Sequence, residues 1–252
     1  MSTDIRILPL TGPINFRDMG GYRTATSQQT KWRTLFRADG LQTLTGEDLD
    51  LLRPLALRTV LDLRTAPELE MRGQFPVADY PVSFHHVSII DKTWDYNDPA
   101  LLELGVVDFL HTAYTDMLVE GASGFVEAFD VLAAPDALPA VFHCAAGKDR
   151  TGILAALLLG AIGVENEAIV TDYAITGQFM DAFRVRVMAR SPEMAEKVRN
   201  SPAAFFAADP EAMRRVLADI DRDHGSIPNF IRTLGVPEST LTHLRQTLLK
   251  PA

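Results

Sequence analysis

The stretch of sequence that decides the fold is Val141-Phe142-His143-Cys144-Ala145-Ala146-Gly147-Lys148-Asp149-Arg150-Thr151-Gly152. It continues a short apolar run from Ala140, which is typical of a buried strand. It leads into a longer apolar run, Ile153 to Ile162, which is typical of a buried helix. A tight polar loop between a strand and a helix is typical of an anion site at the carboxyl edge of an α/β sheet.

The backbone of this loop can surround one tetrahedral oxyanion. Six N–H groups, from Ala145 to Arg150, lie at the predicted helix start. Helix N-termini leave N–H groups unpaired and carry partial positive charge, so a dianion is favoured there. Gly147 permits a backbone conformation that a β-carbon would penalise. The loop therefore predicts a phosphate site.

The side chains of the loop supply nucleophile, cation and acid. The field of the helix start should stabilise a thiolate on Cys144, the form that attacks phosphorus. Arg150 can place two hydrogen bonds on phosphate oxygens and follow them into the transition state. Lys148 adds a second, more mobile cation, and Asp149 can protonate the leaving-group oxygen as general acid.

The remaining loop residues have supporting parts. We expect the hydroxyl of Thr151 to donate toward the Cys144 sulfur, which would ease its departure from phosphorus. We expect His143 to orient the loop by hydrogen bonding. The predicted phosphate-binding set is His143, Ala145, Ala146, Gly147, Lys148 and Thr151.

Each of these residues also has an ordinary structural interpretation. A lone cysteine at a strand end is usually a small buried hydrophobe, and a Lys-Asp-Arg triplet is usually a solvated helix start. Cys144 and Arg150 in Cys-x5-Arg spacing, between a strand and a helix, favour the functional interpretation. A nucleotide-binding P-loop would need glycine where Phe142 stands and Ser or Thr where Asp149 stands. A sulfur-transfer loop is also built on cysteine, but it is usually shorter.

Composition fits a soluble protein with one domain, residues 1–252. The net charge of −9 argues against nucleic-acid or anionic-membrane binding, although a small site can be locally positive. Cys144 is the only cysteine, so no internal disulfide can form. The apolar run Ile153–Ile162 is too short to span a bilayer, and the N-terminus lacks signal-peptide features. We expect a cytoplasmic location; export without a recognisable signal stays open.

Short apolar runs alternate with helical patterns, which predicts an α/β fold with a largely parallel central sheet. The strand candidates are Trp32–Phe36, Thr59–Leu63, Val82–Ile89 and Ala140–His143. The helix candidates are Gly46–Leu55 with Thr45 as N-cap, Pro99–Leu118, Gly124–Leu132, Thr151–Ile162, Glu165–Thr176, Met180–Ala189, Pro210–Asp223, Ile227–Leu234 and Pro237–Leu249.

The stretch Gly177–Asp209 mixes apolar residues with five Lys and Arg residues. One interpretation is one or two amphipathic helices packed on the core. The alternative is a lid over the site, because long inserts without their own strand often cover sites.

At this point the sequence resembles the bacterial and fungal tyrosine/serine phosphatases, which are cysteine-dependent and include atypical dual-specificity enzymes. Their loop has the pattern His-Cys-x-Ala-Gly-Lys-Asp-Arg-Thr-Gly, and the match is most specific there. Further blocks of the family resemble Asn15–Tyr22, Leu35–Leu41, Leu61–Glu68, Asp172–Tyr173 and Leu234–Val236. The resemblance covers nearly the whole chain.

The resemblance implies a metal-independent phosphatase that needs no cofactor and binds inorganic phosphate in the loop. It implies the cysteine-phosphatase fold, with a four- or five-stranded, mostly parallel sheet flanked by helices. Members act on phosphotyrosine, often on phosphoserine or phosphothreonine, and some on phosphoinositides; some carry a helical lid where Gly177–Asp209 lies. Lys148 and Asp149 match the loop lysine and the proposed acid of the family.

Other residues are weaker candidates. The sequence has no Trp-Pro-Asp segment, so Asp95 is the fallback acid, although a solvated loop is its ordinary interpretation. Supporting roles and substrate contacts are both open for a further set at predicted turns and strand ends: Arg17, Asp18, Arg37, Asp62 and Arg64. The alternative functions are a phosphate- or phosphopeptide-binding module without turnover and a helical interaction protein with a vestigial enzyme core.

Overall fold

A computed structural model describes residues 5–91 and 103–252 of the chain. Asp95 and its neighbours in Trp94–Asp98 lie outside the described residues.

A five-stranded sheet forms the centre of the molecule, with strand order β1-β3-β6-β4-β5. β3, β6, β4 and β5 are parallel, and the short β1 pairs antiparallel with β3. A second, two-stranded antiparallel sheet joins β2 to β7. The strands are β1 Arg17–Asp18, β2 Gln28–Thr30, β3 Leu35–Ala38, β4 Thr59–Asp62, β5 Ser83–His86, β6 Ala140–His143 and β7 Leu249–Pro251.

Side chains of the buried strands alternate between two apolar cores. In β6, Ala140 and Phe142 pack into the larger core, whereas Val141 packs into the smaller one. β4 divides in the same way, with Leu61 in the larger core and Val60 in the smaller. Strands covered on both faces are continuously apolar, which is why Ala140–His143 could be predicted from sequence.

Helices cover both faces of the sheet, as expected of the predicted α/β class. They are α1 Gly46–Leu52, α2 Ala66–Arg72, α3 Val106–Glu120, α4 Ala122–Ala133, α5 Asp149–Ala161, α6 Asn166–Ile175, α7 Gly177–Met188, α8 Pro192–Asn200, α9 Pro210–His224, α10 Ile227–Leu234 and α11 Glu238–Leu248. α5 is buried from Arg150 to Ala161, because its apolar residues leave no polar face. Among the described residues, no helix is long and apolar enough to cross a membrane.

Several predicted boundaries were wrong. The strand predicted at Trp32–Phe36 begins at Leu35, because Arg33 has a left-handed backbone with φ 59°. Of the helix predicted at Pro99–Leu118, residues 99–102 lie outside the described residues, and among the described ones the helix begins at Val106. Helix α2 was not predicted at all, since it has no buried residue and therefore no apolar period. The predicted N-cap of α1 was confirmed: Thr45 and Asp48 form a capping box.

The stretch Gly177–Asp209 forms two helices, α7 and α8, and a 3₁₀ turn, Ala203–Phe206. Contacts with α3 and with the N-terminal segment are among those that hold this stretch against the rest of the molecule. The ring of Phe205 lies 5.2 Å from that of Phe109 in α3. Arg186 donates hydrogen bonds to the carbonyl oxygens of Thr11, at 2.9 Å, and of Gly12.

Candidate active site

Cys144 directly follows β6 at the carboxyl edge of the sheet, and α5 begins five residues later at Asp149. The cysteine is 1% exposed. Gly147 has φ 65°, and a β-carbon there would lie 2.6 Å from the carbonyl oxygen of Ala38. Two features therefore require glycine at position 147: its left-handed backbone conformation and the close approach of β3.

The carbonyl groups of the first four loop residues, Cys144 to Gly147, have partners in the protein. The oxygen of Cys144 lies 3.3 Å from His143 Nδ1, and that of Ala145 accepts the N–H of Gly40 at 3.3 Å. Asn15 and Arg37 provide the donors for Ala146 and Gly147. By contrast, the backbone N–H groups from Ala145 to Arg150 donate to none of the described residues. These donors are therefore left available to an anion.

Arg150 is held by a carboxylate that sequence reasoning missed. Glu68 in α2 accepts from Arg150 Nη1 at 2.5 Å and from Nη2 at 3.1 Å. Burial raises the pKa of Glu68, but the hydrogen bonds and charge of Arg150 outweigh it and bring the pKa to about 2. The carboxylate is ionised at neutral pH, and the guanidinium is fixed in one orientation.

A local signal could have found Glu68. It stands three residues after Thr65, at the start of a helix that follows β4, and the two residues form a capping box. The backbone N–H of Thr65 donates to Oε2 of Glu68 at 2.9 Å. A capping carboxylate at the carboxyl edge of a parallel sheet lies near the expected ligand site.

Lys148 is not the mobile cation expected from the sequence. It is fully buried, and its Nζ donates to the carbonyl oxygens of Ala204 and Phe205, both at 2.9 Å. Nζ also lies 3.3 Å from Oδ1 of Asp149. Burial lowers the pKa of Lys148, and the negative charge of Asp149 opposes that shift. The lysine therefore joins the loop to the 3₁₀ turn of the insert.

Asp149 has a second partner, Tyr114 of α3, whose hydroxyl donates to Oδ1 at 2.8 Å. Tyr114 and Tyr173 are buried, and their hydroxyl oxygens lie 2.6 Å apart. Asp149 itself keeps 17% of its side chain exposed. Sequence reasoning missed both tyrosines, because they are distant in the chain and resemble core aromatics.

The protein matches the model of the tyrosine phosphatase family over residues 8–250. The chain belongs to the tyrosine phosphatase family. The match confirms the resemblance found in the sequence.

Curated relatives of this phosphatase are distant in sequence and match most of its length. A tyrosine-protein phosphatase of Nostoc commune is 28% identical over 84% of this chain and 73% of its own length. The triple specificity protein phosphatase PtpB of Mycobacterium tuberculosis is 28% identical over 97% of this chain and 99% of its own length. The catalytic domain of the PP-IP phosphatase SIW14 from S. cerevisiae covers 84% of this chain and 96% of its own at 13% identity, with a TM-score of only 0.38. A superposition this loose supports no further comparison.

His143 of the phosphatase is fully buried beneath the loop. Its Nε2 lies 3.6 Å from Oδ2 of Asp62, too far for a hydrogen bond. Burial lowers the pKa of His143, so the ring is neutral at neutral pH. Asp62 is paired with Arg64, whose Nε lies 2.8 Å from Oδ1. Arg64 is fully buried and also donates to the carbonyl of Gly73 at 2.8 Å.

Arg17 and Arg37 are likewise fully buried, and both bind Asp172 of α6. Asp18 accepts the backbone N–H groups of Gly20 and Arg33, both at 2.7 Å, and so fixes a turn. Each of Arg17, Arg37, Asp62 and Arg64 is thus buried with a protein partner. Of these, Arg37 donates directly to the loop, to the carbonyl oxygen of Gly147.

Thr151 lies in the first turn of α5, fully buried. Its Oγ1 has no hydrogen-bond partner among the described residues, so the expected contact with the Cys144 sulfur is not made in this structure.

Proposed function

We propose that this phosphatase hydrolyses phosphomonoesters through a phosphocysteine intermediate on Cys144. One observation supports this above the others. The only cysteine of the chain stands at the entrance of a loop whose N–H groups have no acceptor among the described residues, and Glu68 fixes Arg150 at the other end. Such a loop offers donors to three phosphate oxygens while the sulfur faces phosphorus.

In the first step, the Cys144 thiolate attacks phosphorus and the bond to the leaving-group oxygen breaks. Arg150 and the loop N–H groups hold the three remaining oxygens as phosphorus becomes five-coordinate. Burial lowers the pKa of the Arg150 guanidinium, but the negative charges of the Cys144 sulfur and of Glu68 outweigh it and raise the pKa.

Asp149 is the proposed acid and base. Tyr114 and Lys148 both approach Oδ1, which leaves Oδ2 to carry the proton to the leaving group. In the second step the Asp149 carboxylate accepts a proton from water, water oxygen attacks phosphorus, and the phosphorus–sulfur bond breaks. Thr151 is the proposed donor to the departing sulfur, because its buried hydroxyl has no hydrogen-bond partner among the described residues and is free to turn toward the sulfur.

We propose phosphotyrosine proteins as the main substrates, with phosphoserine, phosphothreonine and phosphoinositides as further substrates. The name of the mycobacterial relative, a triple specificity protein phosphatase, supports a broad range of substrates.

We further propose that residues 1–252 form one phosphatase domain, with 177–209 as its lid. A cytoplasmic location fits an enzyme that depends on one reduced cysteine.

The deciding experiment is hydrolysis of para-nitrophenyl phosphate in the presence of EDTA. We expect turnover by the native protein and none by Cys144→Ser. Phosphate binding without turnover in the native protein would instead identify a binding module. A panel of phosphopeptides and phosphoinositides, assayed with the same two proteins, then ranks the substrate classes.

A further inference from the structure

The direction of each loop N–H is set by the carbonyl group of the preceding residue. The two belong to one planar trans peptide, so they point to opposite sides. The N–H of Gly147 is therefore aimed by the carbonyl of Ala146, and the N–H of Lys148 by the carbonyl of Gly147. A side chain that binds these two carbonyl oxygens on one side of the loop therefore turns the two N–H groups to the opposite side.

Two side chains outside the loop hold them. Asn15 Nδ2 lies 3.1 Å from the oxygen of Ala146 and 3.3 Å from that of Gly147. Arg37 donates from Nη2 to the oxygen of Gly147 at 2.9 Å.

Asp172 holds Arg37 directly and holds Asn15 through Arg17. Its Oδ2 accepts from Arg37 Nη1 at 2.5 Å, and its Oδ1 accepts from Arg17 Nε at 3.2 Å. Arg17 then donates from Nη1 to Oδ1 of Asn15, which turns the amide nitrogen toward the loop. All four residues of this network are buried, with at most 1% of their surface exposed: Asn15, Arg17, Arg37 and Asp172.

The charges of this network require Asp172. Burial raises its pKa, but the two guanidinium groups hold the pKa well below the usual range, so it is ionised. Burial and the charge of Arg17 lower the pKa of Arg37 to about 10, so Arg37 still carries its proton at neutral pH. Without the carboxylate, two buried positive groups would repel each other behind the loop.

We propose that Asp172 is a positioning residue for the phosphate loop. Through Arg37, and through Arg17 and Asn15, it keeps the carbonyl oxygens of Ala146 and Gly147 turned outward. The N–H groups of Gly147 and Lys148 then face the bound phosphate. This inference rests on the proposed function, because it takes the loop to be a phosphate site.

The test measures the dissociation constant of inorganic phosphate, obtained from the protection of Cys144 against iodoacetamide. Asp172→Asn leaves two unpaired buried charges, which can prevent folding. Arg17→Met combined with Asp172→Asn removes one charge of each sign and keeps the balance. Asn15→Asp converts the amide donor into an acceptor of the same shape, and its carboxylate can pair with Arg17. Tyr80→Phe is the control, since its buried hydroxyl bonds Leu52 and Leu57, away from the loop.

We expect the double variant and Asn15→Asp to bind phosphate at least about tenfold more weakly than the native protein, a loss equal to one or two hydrogen bonds. Tyr80→Phe should lower the melting temperature and leave the phosphate constant unchanged. If either test variant folds and binds phosphate with the dissociation constant of the native protein, the positioning role of Asp172 is wrong. If the native protein itself shows no protection by phosphate, the proposed phosphate site fails, and this inference fails with it.

Discussion

Glu68 binds the guanidinium group of Arg150 through both of its carboxylate oxygens, at 2.5 and 3.1 Å. This pair connects the start of α2 to the start of α5, the helix that follows the loop. The fixed guanidinium need not be ordered again when phosphate enters, which is the advantage of a preorganised site.

We expect Glu68→Gln to lower kcat by about 10- to 100-fold, because the guanidinium loses its charged partner and one fixed orientation. Glu70→Gln is the control: it makes the same change at an exposed position of the same helix, away from the pair with Arg150. Steady-state kinetics with para-nitrophenyl phosphate distinguish the two variants. Unchanged kcat in Glu68→Gln would show that the loop orients Arg150 unaided.

The same pair predicts how stability depends on pH. The pKa of Glu68 is lowered from 4.5 to about 2 in the folded protein. A carboxyl group with a lowered pKa stabilises the folded protein at any pH above the pKa that the group has in the unfolded chain. This contribution is lost as pH falls from 4.5 toward 2. Between these values, the melting temperature of the native protein should fall more steeply than that of Glu68→Gln. Parallel curves for the two proteins would contradict the lowered pKa.

Replacing Cys144 by Ser should abolish turnover and leave phosphate binding, because the donors of the loop are mostly backbone N–H groups. Vanadate, which adopts the five-coordinate geometry of the transition state, should inhibit the native enzyme strongly. Residual turnover in Cys144→Ser of about a tenth of native or more would contradict the phosphocysteine mechanism.

Asp149→Asn should slow the hydrolysis of an alkyl phosphate by about 10²-fold or more and of para-nitrophenyl phosphate much less, since only the poor leaving group needs a proton. Tyr114→Phe, which removes one donor to Oδ1, should show the same selectivity with a smaller loss. Equal losses on both esters in Asp149→Asn would indicate positioning instead and would return Asp95 to consideration as the acid.

The last prediction concerns the insert at 177–209. The structure corrects the expectation that Lys148 is a mobile cation, because its Nζ donates to the carbonyl oxygens of Ala204 and Phe205. We therefore expect Lys148→Met to release the 3₁₀ turn and to speed inactivation of Cys144 by peroxide several-fold, as the thiolate becomes more accessible.

Arg186→Gln serves as an independent variant, since it removes the hydrogen bonds of the insert to Thr11 and Gly12 at a residue outside the loop. The measurement is the peroxide inactivation rate of the three proteins, with and without phosphate. If both variants are inactivated at the native rate, the insert does not shield Cys144 and the lid proposal is wrong.

The sequence by itself determined the strand at Ala140–His143, the loop after it and the start of α5 to within two residues. It could do so because these features depend on neighbours in the chain: an apolar run buried on both faces, a glycine, and a helix start that leaves N–H groups unpaired. Cys144 and Arg150 are likewise close in sequence, so their Cys-x5-Arg spacing alone predicts that they lie at the same loop.

Only the tertiary structure decided what surrounds the loop. Glu68 and Asp172 stand 82 and 155 residues from the arginines Arg150 and Arg17 that they bind. In the sequence, each carboxylate resembles any other helical acid, and Lys148 resembles a solvated cation. In the folded protein these side chains are buried, and a charge removed from water needs a partner. The partner depends on which helices and strands the sheet brings together, and spacing along the chain does not reveal it.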